Sequence, residues 1–346
     1  MSKFIEIAGR RIGSDYPPLV IAEIGINHNG SLTEAFKLVD AAKRAGVEVV
    51  KHQTHIPHEE MSDLAKKAIP GNATQSIWDI MVRCALDEEE EKALQQYVID
   101  QGMIFISTPF SFAAVDRLEK MNVPAYKIGS GEMNNDPFVE YVASKGKPVI
   151  LSTGMNDILA VTRAVNILKS YQVPFVIMHT TNLYPTPVEL VRLGALEEIK
   201  NTFKDEIIGL SDHTCNNLAC LAATALGALV LERHFTDSKE RIGEDIICSM
   251  TPDECRELIC QSAEIARMRG GCKKACEAEQ VTIEFAFSTL VATRDIPSGS
   301  ILTRSDLTTR RPNLGGIPAS NMKQVVGRCT KRAIQTGQHI SYKDLV

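Results

Sequence analysis

The chain has 346 residues, 44% hydrophobic and 23% charged, with a net charge of −5. That is the balance of a globular protein with ample length for a large core and a small second domain. Its nine cysteines, odd in number and scattered, argue against a disulfide framework and fit a reducing cytoplasm.

The opening MSKFIEIAGRRIG has no apolar h-region, so no secretory signal is expected. PLVIAEIG (18–25) reads as a first strand. LTEAFKLVDAAKRAG (32–46) then places Phe36, Val39 and Ala42 on one helical face and stops at Gly46. VEVVKHQ (47–53) reads as a second strand. DEEEEKALQQYVIDQG (87–102) starts on acids, which suit a helix N-terminus, and ends on Gly102. MIFISTP (103–109), AYKIGSG (125–131), PVILSTG (148–154), VPFVIMHTT (173–181), EIIGLSDH (206–213) and ALVLERHF (228–235) complete the series of strands. SFAAVDRLEKMN and NDILAVTRAVNILKSY fit helices between them. LACLAATALGALVL (218–231) is too short for a bilayer, which needs about 20 residues; it reads as a buried helix running into a buried strand.

The strand candidates are short, rich in Ile and Val, and lack clean polar alternation, as strands covered on both faces do. Eight of them alternating with helices point to an α/β fold, a (β/α)8 TIM barrel over residues 1–270. A doubly wound open sheet is the rival, but no dinucleotide-type glycine loop follows the first strand. A charged linker, 271–287, includes CKKAC, whose thiols are expected to face solvent. From Ser288 to Val346 the text changes to short β-like pieces, STLVATRDI and RCTKRAI, between turns, which suggests a small β-rich domain. This tail has nine Lys/Arg against three Asp/Glu, a balance of +6 that leaves −11 for the rest. It has no long basic run and one aromatic residue, Tyr342, which argues against a nucleic-acid partner. No membrane partner is expected either.

In a TIM barrel the chemistry sits at the C-terminal strand ends. There the sequence places Glu23, Lys51, Gln53, Thr108, Lys127, Ser130, Glu132, Ser152, Asn182, Tyr184, Ser211, Asp212, His213, Glu232 and His234. His213 and His234 close two adjacent strands, and as a pair they favour a divalent metal over two core imidazoles. Lys51 and Lys127, with Thr108, Ser130, Ser152 and Ser211, resemble a phosphate cradle, although hydroxyls also cap turns routinely. Glu23 belongs near a metal or a reacting proton. His28, His52, His55 and His58 read as structural. HExxH, GxSxG, P-loop and GxGxxG patterns are absent from the sequence.

The stretches IAEIGINHNGS, VVKHQTH, IFISTPF, YKIGSGE, ILSTGM, TNLYPTP, IGLSDHT and ERHFT resemble, in order, the bacterial N-acetylneuraminate (sialic acid) synthase family. The tail resembles that family's SAF (antifreeze-like) domain. The resemblance implies a cytoplasmic enzyme that condenses phosphoenolpyruvate with N-acetylmannosamine and water, giving N-acetylneuraminate and phosphate by C–O cleavage. It implies a divalent metal, Mn2+ with Mg2+ or Co2+ as substitutes, held by His213 and His234. Glu23 matches the carboxylate that handles a proton or water. Lys51, Thr108, Lys127, Ser130, Ser152, Asn182 and Ser211 match phosphoenolpyruvate contacts. Gln53, Glu132, Tyr184, Asp245 and Arg311 match sugar contacts. It further implies a domain-swapped homodimer whose SAF domain lies over the partner's active site.

Gly243-Glu244-Asp245 departs from the family's Gly-Pro-Asp, and losing the proline is expected to loosen the loop that carries Asp245. Thr180 replaces a usual cysteine, and RPNLGG varies the segment around Arg311. Legionaminate or pseudaminate synthase, acting on a di-N-acetylated deoxyhexose, is the nearest alternative. A Schiff-base aldolase using Lys127 and a non-catalytic sugar or ice-surface binder built on the tail are more distant ones.

Overall fold

Eight of the apolar runs form eight parallel strands closed into a barrel, in a computed structural model that describes residues 3–346. In order they are Leu19–Gly25, Val49–Thr54, Ile104–Pro109, Tyr126–Ile128, Val149–Ser152, Phe175–Thr180, Ile207–Asp212 and Val230–His234, termed barrel strands one to eight. Strand eight closes onto strand one with His234 opposite Glu23. Nearly every strand position is buried, because side chains alternate between the barrel interior and the surrounding helices. Strand four is shorter than its apolar run, since the chain turns at Gly129 into the short helix Glu132–Asn134.

The helices begin and end where their capping chemistry requires. Ser31 caps Leu32–Ala45, which stops at Gly46 in the left-handed conformation. Asp87 and Glu90 form a capping box on Glu88–Asp100. Asp157 caps Ile158–Ser170. Their inner faces build the larger core, between helices and barrel.

A second core fills the barrel interior at its N-terminal end. An antiparallel hairpin, Phe4–Ile7 with Arg10–Gly13, turns at Ala8-Gly9, both with positive φ. Its Ile5, Ile7 and Ile12 pack against Leu19, Val49, Ile106, Ile150, Val176 and Val230, so the hairpin plugs the barrel floor. The sequence reading had assigned this segment no element. The long connection after strand two carries another unforeseen helix, Ile77–Cys84, which packs Ile80, Met81 and Cys84 with Ile26.

The barrel unit ends at Gly270, and a second unit runs from Gly271 to Val346. Its first part is not a plain linker: Glu277–Glu279 forms a short helix that leads into the helix Gln280–Ala286. Cys272 and Cys276 are exposed. The small antiparallel β region pairs Thr289–Ala292 with Leu307–Arg310 over a core that includes Leu290, Ile317 and Ile340. RCTKRAI does not form a strand; Cys329, Thr330 and Ile334 contribute single bridges between turns. Arg311 is exposed directly after the second strand and precedes a cis peptide bond to Pro312. Among the described residues, no helix is long and apolar enough to cross a membrane.

Candidate active site

At the C-terminal ends of the strands the barrel interior turns from apolar to ionic. Glu23 and Lys51 are register partners on strands one and two, and their charged groups meet at 2.6 Å. Lys127 reaches Glu232 at 2.7 Å, and Lys51 lies 3.6 Å from the same Glu232 oxygen. Two ammonium and two carboxylate groups therefore share one buried space. Gln53 donates to Glu23 at 2.8 Å, Lys51 donates to Thr108 at 3.0 Å, and Ser211 donates to Glu232 at 3.2 Å. Strand one bulges between Glu23 and Gly25, and Gly25 has a φ of 46°. A Cβ there would meet the Glu23 carboxylate at 2.9 Å, so the glycine leaves that group its room.

Burial drives the protonation states. It pushes the Glu23 carboxyl up to about 7, with Lys51 opposing only part of the effect. Glu232 is equally buried, but Lys127 and Lys51 outweigh the burial and hold it down at about 2. Burial also works against the charge on Lys127 and lowers its pKa despite Glu232.

Ser130, Ser152, Asn182 and Ser211 line the same cavity of about 620 Å³ with Thr108 and both lysines. The Gly154 amide donates to the Ser130 hydroxyl at 3.0 Å. A Cβ on Gly154 would collide with the Asn182 amide, so a glycine is required where these loops converge. The buried Asn182 Oδ1 lacks a hydrogen-bond partner. Lysines, hydroxyls and amides converging in this way suit a phosphate or carboxylate ligand.

The rings of His213 and His234 lie 5.5 Å apart, with the Tyr184 ring centred 4.1 Å from that of His213 and tilted by 33°. His213 Nδ1 donates to the Thr181 carbonyl at 2.8 Å, which leaves the Nε2 lone pair for a metal. His234 Nδ1 faces the Asp245 carboxylate at 3.6 Å. Burial lowers both imidazoles to about 3, so they are neutral and ligand-competent near pH 7. Arg233 between them points outward and is tied to Asp212, Asn217 and Thr214, which locks the ends of strands seven and eight. Among the described residues no cluster of three or more His, Cys, Asp or Glu could hold an ion. The donor set is thus two imidazoles, and it fits a divalent ion that keeps open positions for water and substrate.

A second cavity of about 520 Å³ adjoins the first and shares with it Gln53, Ile77, Phe110, Glu132, Tyr184 and His234. Asp245 lines this outer cavity only, and burial pushes its carboxyl up to about 7. Burial also pushes Glu132 up to about 7. Of the fifteen strand-end residues named from the sequence, all but Asp212 thus line the inner cavity; Asp245 lines the outer one, and Arg311 belongs to the second unit. His55 lines the outer cavity, its ring nitrogens bonded to Glu60 at 2.9 Å and Gln53 at 3.2 Å. Glu244, in the loop that carries Asp245, is ion-paired with Arg83 at 2.6 Å. Glu232, noted only as a polar tip, is the counter-ion of both lysines. Its partners lie on strands two and four, a pairing that no local sequence signal reveals.

Comparison with known proteins matches this architecture. The NeuB family model covers residues 38–274 and the SAF domain model residues 288–346. N,N'-diacetyllegionaminic acid synthase of Campylobacter jejuni is 36% identical over 90% of this chain and 95% of its own. Human N-acetylneuraminate-9-phosphate synthase is 32% identical over 92% of this chain and 90% of its own. The crystal structure of N-acetylneuraminic acid (sialic acid) synthetase from Leptospira borgpetersenii, in complex with citrate, superposes with a TM-score of 0.75 at 28% identity, over 82% of this chain and 96% of that one. A family model that spans most of the barrel, joined to full-length similarity to synthases of this kind, shows that the chain belongs to the NeuB family of sialic-acid-type synthases.

Proposed function

We propose that the chain condenses phosphoenolpyruvate with the open-chain aldehyde of an unphosphorylated N-acetylated hexose and with water, giving an α-keto sugar acid and phosphate. The observation that carries this reading is where the cationic side chains lie in the two joined cavities. Lys51 and Lys127 line the inner one, beside Glu23 and Glu232. Glu60, Glu132, Glu244 and Asp245 line the outer one, and no Lys or Arg is among its lining residues. A trianionic donor suits the first; an uncharged acceptor rich in hydroxyl and amide donors suits the second, and a sugar phosphate is repelled there.

In this reading C3 of phosphoenolpyruvate bonds to the aldehyde carbon and the aldehyde oxygen gains a proton. Water adds at C2 and gives up one proton; as the C2–O bond to phosphate breaks, the new hydroxyl passes its proton to the departing phosphate and C2 becomes the keto carbon. Lys51, Lys127 and the hydroxyls of Thr108, Ser130, Ser152 and Ser211 hold the donor, with Asn182. Glu23 in its ionised form takes the proton from water, oriented by Gln53 and Lys51. Gln53, Glu132, Tyr184 and Asp245 orient the sugar. His213 and His234 would hold a divalent cation, Mn2+ above all, which when bound supplies Lewis-acid polarisation of the aldehyde.

The sequence resemblance implies N-acetylmannosamine as the acceptor. The outer cavity favours the alternative, a di-N-acetylated deoxyhexose. Ile26, Met61, Ala65, Ala68, Ile77, Ile80 and Met81 form an apolar wall suited to acetamido and deoxy methyl groups. The likeness to a legionaminic acid synthase agrees with this choice. A homodimer in which a second copy brings its SAF domain and Arg311 over the mouth completes the proposal. The basic tail supports it, as do Met155, Val188 and Ile242, exposed on the loops around the acidic barrel mouth.

The test is phosphate release from phosphoenolpyruvate and Mn2+ with each hexose in turn. The di-N-acetylated deoxyhexose should give a higher kcat/KM than N-acetylmannosamine, and a 6-phosphorylated sugar should give none. Turnover confined to the phosphorylated sugar overturns the reading.

A further inference from the structure

Arg83, on the helix Ile77–Cys84, donates to the Glu244 carboxylate and to the Asn29 side-chain oxygen, each at 2.6 Å. Asn29 in turn donates to the Ile242 carbonyl at 2.6 Å, and Asn72 donates to the Glu244 carbonyl at 3.4 Å. Contacts from the loops after strands one and two therefore grip the loop after strand eight on both sides of Gly243. That loop ends at Asp245, 3.6 Å from His234 Nδ1. The gripping helix also supplies Ile77, Ile80 and Met81 to the outer cavity, and none of the inner-cavity serines or lysines takes part.

We infer that Arg83 and Glu244 are positioning residues for the acceptor half of the site: their ion pair, with the Asn29 and Asn72 contacts, holds Asp245 at His234 and the sugar. The inference rests on the outer cavity being the acceptor site, as proposed above. An ion pair with a partly exposed arginine adds little stability by itself, so its effect should appear in acceptor binding rather than in folding.

Kinetics of Arg83→Glu, Glu244→Arg and the double variant, against acceptor and phosphoenolpyruvate separately, test it. Each single change should raise the acceptor KM by about tenfold and leave the phosphoenolpyruvate KM within about twofold; the double variant should recover most of the loss. Should a charge-reversed chain fail to fold, Arg83→Met and Glu244→Gln make the same comparison. Single variants that match the wild type overturn the inference and leave the proposed function standing. So does a parallel rise in both KM values with a lower unfolding temperature, the mark of a purely structural pair, and so does a double variant no better than the singles. A wild-type enzyme that turns over no hexose removes the proposed function, and the inference with it.

Discussion

Glu23 and Lys51 are register partners on the first two barrel strands, and their charges meet at 2.6 Å with both side chains buried. In the proposed function the pair joins the proton-handling group to an anion-binding group, and the contact fixes the geometry of both. Changing Glu23 to Gln should lower kcat by about 10²–10⁴-fold, the usual worth of a positioned acid or base. Because the ionised form acts and burial holds this carboxyl at about 7, wild-type activity should fall as the pH drops through that value. The variant should lack this limb yet keep its Mn2+ affinity. A pH–rate profile that keeps the limb in the variant would assign it to another group.

Changing His213 or His234 to Ala should remove Mn2+ binding. The free-ion signal in electron paramagnetic resonance, depleted by the wild type, should stay at its full height with either variant. Chelation should abolish turnover, and added Mn2+ should restore it. Equal depletion by wild type and variants would move the metal elsewhere.

Lys127 is ion-paired with Glu232 at 2.7 Å and does not present a free amine to a carbonyl. Borohydride added with both substrates should leave the mass of the chain unchanged. Lys127→Met should raise the phosphoenolpyruvate KM, because an anion contact is lost, and should destabilise the fold by leaving Glu232 with the more distant Lys51 alone. A borohydride-labelled lysine would instead indicate Schiff-base chemistry.

Glu91 lies under the second strand, 3.0 Å from Arg117 and 3.4 Å from His52. Burial raises it to about 7, with Arg117 opposing in part, so the folded state binds its proton more tightly than the unfolded state does. Its contribution to stability is full below about 4.5 and is lost as the pH rises through about 7. Glu91→Gln should remove that slope: relative to wild type, the variant should gain stability between pH 5 and pH 8 in denaturant titrations. A difference independent of pH would mean that the carboxyl is ionised throughout.

Most of the barrel was legible because strands buried on both faces carry continuous Ile and Val runs, and the capped helices between them announce their own ends. The tips were legible for the same reason: Lys51, Lys127, His213 and His234 interrupt apolar runs where a core residue would otherwise stand. The floor hairpin was not, because FIEIAGRRIG alternates over only four residues on each side of its turn. Neither was the part played by His55, Glu232 and Glu244, since each acquires its role from a partner brought close by folding. Glu244 is ion-paired with Arg83, far away in sequence, a contact that no local signal reveals.

The isoleucine-lined hairpin beneath the barrel gives the enzyme a traffic rule. With its base stoppered, the pocket is a cul-de-sac whose inner berth is walled by strands and whose outer berth is walled by loops. Under the proposed function, a donor lodged in the inner berth arrives before the sugar, and phosphate leaves after the finished acid. Steady-state turnover should therefore follow a compulsory sequence, with the phosphorylated substrate leading.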